Sequence, residues 1–152
     1  MSKTITSASI AVAVLAFASL SWAASLKVQA GMWKTVVTTT SADGRVQGPF
    51  STTSCVTQND VSKFGDKLAE TRSADQQKCS RTSYKETSNS VEFTYQCSGR
   101  FKVDGGGSFK FDKPGHYSGH VTTTGNIMGT AFSNDAKIEG TRTGACTGNS
   151  PQ

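Results

Sequence analysis

Histidine is nearly absent from this chain, with only His116 and His120 in 152 residues. Four residues apart on a strand, they would stand about 13 Å from each other at ~3.3 Å per residue. Zinc–nitrogen bonds are only about 2 Å, so one ion reaches both only if a helix or turn intervenes. Surface strand positions are the expected reading, and no metal is assigned. Close cysteine pairs are missing too. Cys55, Cys79, Cys97 and Cys146 are separated by 24, 18 and 49 residues, without the C-x-x-C spacing of zinc sites. No G-x-S-x-G elbow presents a serine nucleophile. The glycine run at 105–107 lacks the Lys-Ser/Thr ending of a phosphate-binding loop and is expected to be a turn. Asp104, Asp112 and Asp135 fall in or beside expected turns, where solvated carboxylates are ordinary, and nothing marks a glycosidase-like pair among them. Blocks of one charge sign are also lacking. Lys63, Asp66, Lys67, Glu70 and Arg72 mix both signs, as a solvated surface does and a nucleic-acid footprint does not. After residue 23, no run is apolar enough to span a bilayer as a helix.

What is present begins with a leader. Lys3 supplies a positive start, residues 10–20 an apolar centre, and Ser21-Trp22-Ala23 small residues at the −3 and −1 positions. This pattern predicts a secretory signal peptide over residues 1–23, cleaved after Ala23. No cysteine lies near that point to take a lipid. Loss of Lys3 would lower the 16 basic residues by one against 11 acids, so the net charge falls from +5 to +4. Residues 24–152 then form one domain, long enough to bury a core. An exported location is expected, with weak attraction to anionic envelope surfaces.

The main structural signal is alternation. Val91, Phe93, Tyr95, Cys97, Gly99, Phe101 and Val103 occupy the odd positions, and Glu92, Thr94, Gln96, Ser98, Arg100 and Lys102 the even ones. Period two over thirteen residues predicts one long strand with a buried face. A turn centred on Gly106 would pair Val103 with Phe109 and Phe101 with Phe111, and would set Lys102 against Lys110. Lys113-Pro114-Gly115-His116 carries Pro and Gly as a type II turn requires. Tyr117, Gly119, Val121 and Thr123 continue as a further strand. Residues 32–40, 50–56, 81–86 and 136–145 read as strands from their β-branched content and bounding turns. Val61, Phe64 and Leu68 recur at helical spacing, with Thr57 placed to cap and Asp60 at N3.

These elements predict a mainly β fold. An antiparallel up-and-down sheet closes to a small barrel or a curved half-barrel, with one short helical insertion at about residues 58–70. Four cysteines in an exported chain predict two disulfides, and three connectivities satisfy them. Strands taken in sequence order would put all four at one end of the sheet. Cys55–Cys79 would then staple the insertion and leave Cys97–Cys146.

Several short motifs resemble a known family. Ala30-Gly31-Met32-Trp33-Lys34 resembles a P-G-L-W-E opening, and Cys55-Val56-Thr57-Gln58-Asn59-Asp60 resembles C-V-T-x-E-D. Cys97-Ser98-Gly99, Tyr117-Ser118-Gly119 and the segment from Gly140 to Cys146 follow in order. Together they resemble domain of unknown function 3617, small proteins exported by Gram-negative bacteria. Lys34 and Asn59 depart from its usual acids. The resemblance implies a periplasmic location and structural cysteines; the family brings no established activity and no cofactor.

Trp33, Tyr84, Phe93, Tyr95, Phe101, Phe109, Phe111 and Tyr117 fall largely on inferred inward positions. They form either a filled core or the wall of a cavity for one small ligand. The leading functional reading is a periplasmic binding or interaction module without catalysis, taking a small apolar or amphipathic ligand or an envelope protein. A structural or stress-related envelope protein that contacts another protein, through the Lys102/Lys110 face, comes second. A hydrolase with an unrecognised site comes third.

Overall fold

The computed structural model describes residues 26–70 and 77–147. The expected leader lies outside these residues, as do positions 71–76. Among the described residues, seven strands and two short helices follow in the order β1 Gly31–Ser41, β2 Val46–Val56, α1 Gln58–Val61, α2 Phe64–Leu68, β3 Gln77–Glu86, β4 Ser90–Gly99, β5 Lys102–Lys113, β6 His116–Ile127 and β7 Thr130–Gly144. All neighbours are antiparallel, in the spatial order β2-β1-β7-β6-β5-β4-β3. Among the described residues β2 and β3 remain the edges, so the sheet is a curved half-barrel and does not close.

Six antiparallel steps separate the two edges, so β2 and β3 point the same way. The chain must therefore return from the end of β2 to the start of β3 at the far corner of the sheet. The helical segment makes part of that return along the inner face. Asp60 accepts hydrogen bonds from the Thr57 backbone N–H at 3.0 Å and its hydroxyl at 2.6 Å, and so fixes the start of α1. Phe64 of α2 is buried against Trp33, Phe111 and Tyr117. The insertion is thus two helices of four and five residues where one was expected.

This route corrects the expected disulfides. Cys55 near the end of β2 and Cys79 near the start of β3 stand at opposite ends of opposite edges. The bridges are Cys55–Cys146, with Cα atoms 5.5 Å apart, and Cys79–Cys97, with Cα atoms 4.0 Å apart. Cys79 and Cys97 are direct partners across β3 and β4. The four cysteines sit two at each end of the sheet, because β7 returns beside β1 instead of extending the series past β2.

The glycine run is not a turn. Residues 105–107 lie within β5, and the reversal before it comes at Gly99, which takes φ 135°, and Arg100. Val91 pairs with Phe109 and Cys97 with Val103, odd residues with odd. The inward alternation therefore runs on through a reversal that the pattern does not reveal. Lys102 and Lys110 consequently lie along one strand and do not oppose each other; their β6 partners are Asn126 and Ser118. The glycines leave room for rings instead. Tyr95 faces Gly105, Phe93 faces Gly107, Phe109 faces Gly119 and Tyr117 faces Gly140. A Cβ at any of these glycines would overlap the opposing ring. The Pro114–Gly115 turn does join β5 to β6, but Gly115 lacks the positive φ of type II.

Candidate ligand-binding cleft

One end of the inner face is filled. Trp33 is 1% exposed, stacks on Tyr117 at 5.6 Å and donates its indole N–H to the Gln29 carbonyl at 3.1 Å. Phe109 meets Tyr117 edge-on at 5.8 Å, and Phe111 packs against it at 5.4 Å. The Tyr117 hydroxyl bonds to Thr35 Oγ1 at 3.1 Å, and burial holds its pKa above the ordinary value. Leu26 closes this end, its N–H donating to Glu86. Glu86 also accepts from Tyr84, whose phenol burial and this carboxylate push well up. Four of the expected cavity residues, Trp33, Phe109, Phe111 and Tyr117, therefore pack against one another as core. Tyr84 packs on the edge of that core beneath the Arg81 guanidinium, 4.1 Å from its ring centre.

Among the described residues the other end is open. Phe93 stacks between Phe109 and Tyr95, at 6.3 Å from each, and carries the aromatic row out of the core. Beyond it lies a cleft of about 350 Å³ lined by Leu68, Glu70, Phe93, Tyr95, Val103, Val121 and the Cys79–Cys97 bridge. The Tyr95 hydroxyl is held by Thr123 Oγ1 at 2.7 Å. Its walls are apolar, with the exposed Glu70 at one side. Of the eight expected residues, Phe93 and Tyr95 line this cleft. Phe101 sits in the β4–β5 turn beneath Arg100. Leu68, Val103 and Val121 were each visible in a helical or alternating pattern. Only the fold brings them together.

A larger depression, about 770 Å³, lies on the opposite face over β1, β7 and β6. Thr38, Ser118, His120, Asp135, Lys137 and Glu139 give it a polar, mixed-charge floor, as a solvated sheet face has. Nearby, His116 Nδ1 lies 2.5 Å from Asp112 and Nε2 lies 3.1 Å from Glu139. Asp112 first, and Glu139 second, raise the His116 pKa, and the same contact lowers that of Asp112. With both nitrogens held by carboxylates, His116 has none left to activate a nucleophile. His116 and His120 both lie on β6, the strand placement in which one ion does not reach both. Among the described residues no three His, Cys, Asp or Glu side chains gather to hold a metal.

The architecture defines a disulfide-stapled antiparallel half-barrel with an apolar cleft at its open end. The chain belongs to the family described as "Protein of unknown function (DUF3617)", whose model matches residues 28–146. No curated protein and no solved structure matches the chain. Two disulfides fit an oxidising location outside the cytoplasm, and no helix among the described residues is long and apolar enough to cross a membrane.

Proposed function

We propose that this chain is an exported periplasmic binding module, without catalysis of its own, that takes a small apolar or amphipathic molecule. The cleft beside Phe93 and Tyr95 carries this reading, because apolar walls with few polar groups are the usual composition of small-ligand sites. Tyr95 and Glu70 supply polar handles. The leader-like residues 1–23 and the two disulfides support export. Native mass measurement on protein recovered from a periplasm tests it. A mass excess that vanishes on denaturation is expected; a bare chain after incubation with short fatty acids, alkyl amines and sterols would overturn it.

A second reading has its own observation. Edge strand β2 carries no charged residue in Val46–Val56, whereas edge β3 carries Lys78, Arg81, Lys85 and Glu86. Charges and prolines on edges discourage strand addition, so residues 51–56 of β2, past Pro49, are the edge offered to an envelope protein's strand. Thr52→Lys should abolish capture of such a partner; unchanged capture would remove this reading.

A further inference from the structure

The β6–β7 hairpin reaches past β1 at the open end of the half-barrel. Beyond the level where Ser41, the last residue of β1, meets Asn134, the pairing of β6 with β7 continues to Ile127 and Thr130. Its two-residue loop, Met128 and Gly129, takes φ 52° and φ 88°. Positive φ at both positions is the type I′ turn, which favours Asn, Asp or Gly at the first. Methionine there costs conformational energy. Yet Met128 is 92% exposed, and neighbouring Ile127 is 42% exposed, so the strained position presents an apolar side chain to solvent without packing to offset it.

The surroundings are cationic. Lys102 begins β5 and pairs with Asn126, next to Ile127. Arg100 lies in the adjoining β4–β5 turn, and Lys78 starts β3 at the same end. Arg45 lies at the β1–β2 turn beside exposed Val46, with its guanidinium on Asp43 at 2.6 Å. Asp43 holds Arg45, and Asp104 lies two residues from Lys102 on β5, so two carboxylates stand against the four cations of these strand ends. Apolar tips rising from a cationic rim match an anionic bilayer surface, where tips enter the interface and cations meet phosphates.

We propose that the open end of the half-barrel docks on an anionic lipid surface, with Ile127 and Met128 entering the headgroup layer and Lys78, Arg100 and Lys102 facing lipid phosphates. Docking of this kind turns the mouth of the cleft toward the membrane. It stands apart from the ligand reading, since an empty cleft would leave it intact.

Vesicle co-sedimentation tests it, using the disulfide-bonded chain from an exporting host with its N-terminus established by mass. Vesicles of equal parts phosphatidylglycerol and phosphatidylethanolamine should retain the chain, and less so as salt rises. Phosphatidylcholine vesicles should not. Met128→Asn suits the turn, so thermal stability should hold or rise while partitioning falls about tenfold. Arg100→Gln with Lys102→Gln should weaken partitioning about thirtyfold. No retention on the anionic vesicles would overturn the proposal. Equal retention on both vesicle types, or partitioning unchanged in both variants, would overturn it too. Capture of a protein by this rim without vesicle binding would also overturn it.

Discussion

The ring of Tyr117 on β6 occupies the space that a side chain on its β7 partner Gly140 would need. The same arrangement recurs at Phe109 and Gly119, at Phe93 and Gly107, and at Tyr95 and Gly105. Aromatic rings thus cover backbone across three neighbouring strand pairs, and the glycines are part of the core packing.

Gly140→Ala should therefore destabilise the fold by about 1–3 kcal/mol, the usual range for overpacking a closed site. Gly144→Ala is the control, since nothing lies within 4 Å of the Cβ it would add. Urea denaturation of the two variants decides this. Equal midpoints would remove the packing argument.

Peptide mapping without reductant should recover Cys55 joined to Cys146 and Cys79 joined to Cys97. Replacing Cys55 and Cys146 together by serine opens a separation of 91 residues, against 18 for Cys79 and Cys97. In chain-entropy terms the first pair should cost more, by about 1.4 kcal/mol. A map showing Cys55 bonded to Cys79 would contradict the crossing of the chain described above.

The His116 contacts predict a stability window. A folded-state pKa above the ordinary 6.5 means stability that is complete below about 6.5 and lost as pH rises through the folded value. Asp112 is depressed below its ordinary 3.8, so its share is present above that value and lost as pH falls through the folded one. Both contribute together between these limits. His116→Gln should flatten the loss on the alkaline side, read from denaturation midpoints across pH; an unchanged slope would exclude His116 as its source.

Filling the cleft should separate binding from folding. Val103→Trp places a large side chain among Tyr95, Val121 and Leu68 at a half-buried position. Ligand-dependent mass excess should disappear while the far-ultraviolet spectrum and both disulfides persist. Retained ligand in this variant would move the site elsewhere.

The inner-facing positions were legible because burial on one face of a strand imposes period two, whatever the topology. The parity that made Phe93, Tyr95 and Phe109 readable also concealed the reversal between β4 and β5. Pairing odd residues with odd continues one alternation through the turn. Glycines 105–107 carried a turn signal because backbone freedom and lack of volume are the same feature in a sequence. Only the opposing rings distinguish them.

The sequence by itself determined the β class, the inward aromatics other than Phe101, the capped helical start at Thr57 and Asp60, and a cysteine set suited to an oxidising compartment. These follow from local periodicity, residue chemistry and compartment. The tertiary structure alone decided which cysteines bond and which aromatics pack as core. It also decided that Leu68, Val103 and Val121 meet around an open cleft. The Cys79–Cys97 bridge follows from the β3–β4 pairing, whereas Cys55–Cys146 depends on β7 inserting between β6 and β1, a long-range pairing whose energy lies in contacts across the whole chain and leaves no mark in any short window of residues.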